Sequence, residues 1–174
     1  MDVLKKIWNI ITTILTVLAI ILAIMLVGVR VFGYVPYAIL SPSMTPTYCV
    51  GDLVYVKKTP PEEIVKGDAI TFVANKELTL VTHRVDDVDR EKEVFYTKGD
   101  ANETRDNAPV LYKNVVGVVR FSLPKLGYIS NYLSTESGKY VAGAVICALL
   151  LLMFLPSLFE KKPQKSGEEP KTKE

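Results

Sequence analysis

Residues 7–29 form a run of about 23 residues without a charged side chain, and this run constrains the chain more than any other feature. As a helix rising 1.5 Å per residue it is long enough to cross a hydrocarbon core about 30 Å thick. Lys5 and Lys6 precede it, and Trp8 sits at its start, where an amphipathic ring suits the membrane interface. A cleavable leader also begins with positive charge, but its apolar region is shorter and ends at a small-x-small site. This run is too long and leads into no such site, so it reads as an uncleaved anchor.

A second uncharged run, residues 140–159, is long enough for another span, with Pro156 near its end, where a proline is tolerated. These two blocks hold the excess that raises the apolar content to 49% and the mean hydropathy to +0.22. Residues 160–174, rich in Lys, Glu and Pro, bury too little apolar surface to fold and read as a disordered tail. Basic residues flank the outer ends of both runs: Lys5 and Lys6 before the first, Lys161, Lys162 and Lys165 after the second. Arg30 and Lys139 are a weaker signal at the inner ends. The positive-inside rule therefore places both termini in the cytoplasm. The expected organisation is a cytoplasmic start (1–6), a transmembrane helix (7–29), an extracytoplasmic domain (30–139), a second transmembrane helix (140–159) and a cytoplasmic tail (160–174).

The intervening domain reads as mainly β. Residues 32–40, 53–57, 69–73, 78–88, 93–98 and 115–121 are rich in Val, Ile, Tyr, Phe and Thr, and Gly-Asp, Pro-Pro, Asn-Lys and Asp-Arg pairs punctuate them. Short strands at this spacing predict a small antiparallel barrel or sandwich. Cys49 and Cys147 fall in the domain and in the second apolar run, so no disulfide framework is expected. Two cysteines and one histidine without ligand spacing give no zinc site, and neither a metal nor a cofactor is expected. A formal charge of +2 gives no case for a nucleic-acid partner.

Within the domain, Ser43 lies in Ser41-Pro42-Ser43-Met44-Thr45-Pro46. Each proline fixes its own φ and restricts the residue before it, so the hydroxyl is held on a preset turn at the end of a strand. A serine nucleophile needs such fixed aim, and it also needs a base. His83, the single histidine, lies in a strand-like run of the same domain, and neutral imidazole can accept the serine proton and pass it on. Asp100 and Asp106, in the loop from Lys98 onwards, offer carboxylates to orient that ring. Taken singly, each fragment also has a structural reading: a Pro-Ser turn, a packed histidine, an acidic turn bonding its own backbone.

Taken together and in this order, the segments resemble the signal peptidase I family. They are the anchor, Ser41-Pro42-Ser43-Met44-Thr45-Pro46, Gly51-Asp52, Gly67-Asp68-Ala69-Ile70-Thr71-Phe72, Thr82-His83-Arg84 and Gly99-Asp100-Ala101-Asn102. The resemblance is to the branch of the endoplasmic reticulum, archaea and sporeformers, in which histidine stands where most bacterial members carry lysine. It implies a β-rich catalytic domain, Ser43 as nucleophile and His83 as general base, with Asp106 as the first choice for the orienting carboxylate and Asp100 the second. It further implies that the Ser41 side chain and the Ser43 N–H form an oxyanion hole. Cleavage would fall after a small residue with another small residue two positions earlier, in the signal peptides of exported preproteins. By position, Tyr37, Ala38, Ile39 and Leu40 are the candidate strand edge for the substrate, although a core role fits them equally. The expected partners are signal peptides, the lipid bilayer and the secretion machinery; the expected location is the plasma membrane of a bacterium or archaeon. Two other readings stay open: a membrane-anchored β-domain scaffold without catalysis, and a related serine protease with a regulatory membrane-protein substrate.

Overall fold

The computed structural model describes residues 2–75 and 77–159, so the expected tail at 160–174 lies outside the described residues. The first element is a helix, α1 (Asp2–Leu26). Within it, Lys5–Leu26 has a mean hydropathy of 2.6 and is long and apolar enough to cross a membrane. The α-helix stops short of the expected Val29. Gly28 is a poor helix former, and Gly28–Phe32 is a 3₁₀ helix closed by Gly33 at φ +79°.

The described residues then hold seven strands: β1 (Tyr34–Ala38), β2 (Leu53–Lys57), β3 (Ala69–Val73), β4 (Leu80–Asp89), β5 (Val94–Lys98), β6 (Val110–Leu111) and β7 (Val115–Leu123). They pair antiparallel in one sheet of order β1-β2-β7-β3-β4-β5-β6. The runs expected from composition all contain a strand. The boundaries moved where Leu78 (φ 60°) and Glu93 (φ 53°) take turn conformations that a strand excludes. β6, two residues long, gave no periodic signal.

Two apolar clusters fill the core. One gathers Ile64, Ile70, Phe72, Val85, Phe95, Val110 and Val118. The other gathers Ile39, Met44, Val54, Val56, Ala69 and Val119 around the end of β1. Burial of Met44, 1% exposed, is worth about 2 kcal/mol and pins the turn that carries Ser43. Among the described residues β1 pairs only with β2, so no strand lies along its other edge. Pro36, which cannot donate to a ladder, is tolerated on such an edge strand.

The chain leaves the sheet through two helices, α2 (Leu126–Ser134) and α3 (Glu136–Phe159), that meet at 103°. Thr135 caps α3: its Oγ1 accepts from Gly138 N at 3.0 Å. Gly138 permits the sharp bend, because a Cβ there would lie 1.9 Å from Tyr132 O. α3 contains the second uncharged run and packs beside α1, with Trp8 Nε1 donating to Leu152 O at 3.3 Å. The Tyr55 hydroxyl donates to Met25 O at 2.7 Å and ties the sheet to the end of α1.

Candidate active site

Ser43 sits in a short 3₁₀ turn, Pro42–Met44, directly after β1. Pro42 occupies the first helical position, where its missing N–H costs nothing. The turn's internal bond runs from Thr45 N to Pro42 O, so the N–H of Ser43 is not consumed inside it. From the other side the carbonyl of Ser43 accepts from Ala101 N at 2.9 Å. Gly99 permits this approach, since a Cβ there would lie 2.6 Å from Ser43 O.

His83 lies on β4, 8% exposed, and its ring links two partners. Nδ1 stands 2.6 Å from Asp106 Oδ2, and Nε2 stands 3.1 Å from Ser43 Oγ. A carboxylate can only accept, so Nδ1 carries the proton and Nε2 is left to accept from the Ser43 hydroxyl. Asp106 Oδ2 also accepts from Thr97 Oγ1 at 2.7 Å, and Asp106 N donates to Thr97 O at 2.9 Å. Thr97, on β5, therefore aims the carboxylate that meets His83. The Ser41 hydroxyl stands 3.2 Å from Ser43 Oγ. With the Ser43 proton directed to His83, Ser41 is the donor of that pair.

Asp100 has a different partner. Its two oxygens accept from Arg84 Nε at 2.8 Å and Arg84 Nη2 at 2.6 Å, and Arg84 Nη1 donates to Gly67 O at 2.8 Å. The paired guanidinium holds the Asp100 carboxyl below the usual carboxylate range despite partial burial, and the same bonds raise Arg84. Burial raises the neighbouring Tyr48 phenol. Of the two carboxylates expected near the histidine, the structure brings Asp106 to the ring and uses Asp100 to fasten the Gly99–Asn102 turn to β4.

Ser41 and Ser43 open onto a cleft of about 680 Å³. Tyr37, Ala38, Ile39 and Leu40 form one wall and residues 78–82 another, and α2 supplies Ser130, Asn131 and Ser134. Ile39 is nearly buried, and its N–H and C=O are bonded to Asp52 O and Gly51 N at 2.9 Å each. By the pleat, Ala38 and Leu40 direct their backbone groups the other way, to the free edge. Thr97 and the α2 residues were not foreseen. Thr97 is one more β-branched residue in a strand, and Arg84 stood beside His83 in the sequence without any sign of its partner.

The profile of the family "Signal peptidase, peptidase S26" matches residues 9–119, which contain Ser43, His83 and Asp106. The chain belongs to the signal peptidase I family. It is 39% identical over 122 residues to signal peptidase I W of Bacillus subtilis, covering 64% of each protein. It is 32% identical over 132 residues to the signal peptidase complex catalytic subunit SEC11 of Eremothecium gossypii, covering 68% of this chain and 76% of that one. To the human catalytic subunit SEC11C it is 33% identical over 128 residues, 66% of this chain and 65% of the relative. The chain thus spans just under two thirds of the length of the Bacillus and human relatives.

Proposed function

We propose that this chain is a membrane-tethered serine endopeptidase that removes N-terminal signal peptides from exported preproteins. The observation that carries the reading is the unbroken hydrogen-bond chain Ser43–His83–Asp106 at the wall of a cleft, in a member of this family. A preprotein segment lies extended against the free edge of β1, where Ala38 and Leu40 offer backbone partners. Ser43 Oγ attacks the scissile carbonyl carbon while His83 Nε2 takes its proton. The Ser43 N–H and the Ser41 hydroxyl, after a turn of its rotor, donate to the oxyanion, a contribution of about 3 kcal/mol per donor in comparable sites. Asp106 stabilises the imidazolium, which then protonates the departing amine. Water, deprotonated by the same imidazole, hydrolyses the acyl-enzyme and frees Ser43.

In this reading α1 and α3 both cross the membrane with the termini in the cytoplasm, and residues 30–139 stand on the outer face of a bacterial or archaeal plasma membrane. The tether confines the site to the layer in which signal-peptide ends emerge. The test is cleavage of a preprotein in liposomes by wild type, Ser43→Ala and His83→Ala, with the cut sites mapped. Each substitution is expected to lower kcat by at least about a thousandfold, and wild-type cuts are expected after small-x-small sequences that follow an apolar run. Equal cleavage by all three proteins would discard the mechanism; scattered cut sites would discard the substrate.

A further inference from the structure

The family match ends at residue 119, and α2 lies beyond it. Even so, Ser130, Asn131 and Ser134 of α2 line the cleft that holds Ser43. The helix is fixed there, not merely adjacent. Gly127 N donates to Gly51 O at 2.9 Å, the Tyr128 hydroxyl to Val50 O at 3.2 Å, and Lys125 N to Asp52 Oδ1 at 3.2 Å. The second oxygen of Asp52 accepts from Cys49 N at 2.8 Å, and Asp52 O accepts from Ile39 N at 2.9 Å. One turn therefore joins α2 to the strand that leads into the nucleophile.

The two faces of β1 differ. Tyr37 and Ile39 turn into the core cluster that contains Met44. Pro36 and Ala38 alternate to the opposite face, in register with Tyr55 and Leu53, and line the cleft together with Ser130, Asn131 and Ser134 of α2. A peptide added to the free edge continues this pleat, so its side chains alternate between the same two sides. The residue that carries the scissile carbonyl lies at Ser43, beside Met44 and Ile39. Both line the cleft and are only 1% and 7% exposed, so a closed core under this position favours a small side chain. The residue before it faces the other way, towards α2. There Asn131 offers both donor and acceptor, and Ser134, whose hydroxyl donates to Ser130 O at 2.9 Å, keeps lone pairs to accept.

We propose that α2 is the specificity wall for the second residue before the cut, and that Asn131, with Ser130 and Ser134, selects a polar, hydrogen-bonding side chain there. This assignment rests on the signal-peptide reading above and adds to it a preference at one substrate position. Two preproteins identical except for Asn or Leu at that position test it, with the full chain in liposomes. Wild type is expected to favour Asn over Leu in kcat/KM by roughly three- to tenfold, the worth of one net hydrogen bond. Asn131→Leu is expected to bring the ratio to about one or reverse it, and Ser134→Ala to reduce it. Tyr132→Ser, on the same helix but outside the cleft lining, is expected to keep the wild-type ratio.

A wild-type ratio of one, with the small residue at the cut still required, overturns the α2 assignment and leaves the signal-peptide reading intact. So does a ratio that Asn131→Leu leaves unchanged, or one that Tyr132→Ser shifts equally. Wild type that cleaves neither preprotein overturns the broader reading, and the α2 assignment with it.

Discussion

At the scale of single residues, the two aspartates near the site separate chemistry from construction. Asp106 touches the histidine ring and Thr97; Asp100 touches Arg84. Asp106→Asn keeps size and shape but turns a pure acceptor into a group that can also donate. It is expected to lower kcat about a thousandfold or more while Tm changes little. Asp100→Asn is expected to act the other way, with a modest kinetic effect and a stability loss of about 1 to 2 kcal/mol at neutral pH, limited by partial solvent screening. Because Arg84 lowers the Asp100 carboxyl, its contribution is complete above the ordinary carboxylate pKa of about 3.9 and disappears as pH falls through the lowered value. The stability gap between wild type and Asp100→Asn should therefore be smaller at pH 3 than at pH 7, as read by urea unfolding at both. Unfolding of Asp106→Asn at neutral pH, with Asp100→Asn stable but inactive, would exchange the two roles. The sequence made Ser43 and His83 visible, because prolines and a lone histidine are conspicuous. It left the choice of carboxylate open, because the two lie in one polar loop and only tertiary placement shows which ring or guanidinium each meets.

At the scale of elements, the Cys49–Asp52 turn is the joint between β1, β2 and α2. Gly51 holds φ +90°, and a Cβ built on it would lie 2.0 Å from Tyr128 Cε2. Gly51 and Asp52 together oppose Ile39, a bulge that glycine's positive φ permits. Gly51→Ala thus carries two costs, about 1 to 2 kcal/mol for the left-handed backbone and a further penalty for displacing the ring. In a Tyr128→Ala background only the backbone cost should remain, so a double-mutant cycle followed by thermal unfolding in detergent is expected to show coupling of about 1 kcal/mol or more. Identical costs in both backgrounds would mean that α2 does not press on this turn. The strands were legible because β-branched and aromatic runs between turn residues are a local signal. α2 was not. Its N-terminal boundary is Lys125 at φ 62° without a side-chain cap, and Gly127 in its first turn looks like a helix breaker. Leu126, Ile129 and Leu133 do recur at helical spacing, but nine residues are too few to form a helix alone, and what stabilises α2 is its tertiary packing against β1 and β2.

At the scale of the whole molecule, the arrangement follows from one geometric fact. α1 and α3 pack side by side, Trp8 against Leu152, while the sheet is tied to the far end of α1 through Tyr55 and Met25. In the proposed topology α3 crosses the bilayer beside α1, and the 103° bend between α2 and α3 turns α2 away from the direction of that span. The two native cysteines report on this directly. Cys49 and Cys147 are both free and exposed in the isolated chain, but only Cys147 lies within the uncharged run of α3. In Cys147→Ser, expressed in intact bacterial cells, a membrane-impermeant maleimide is expected to label Cys49 without lysis. In Cys49→Ser, Cys147 is expected to resist the same reagent before and after lysis and to react only once detergent removes the lipid. Cys49 labelled only after lysis would invert the orientation and put the cleft on the cytoplasmic side. Cys147 labelled from water in intact or lysed cells would show that α3 lies outside the hydrocarbon, leaving α1 as the sole tether.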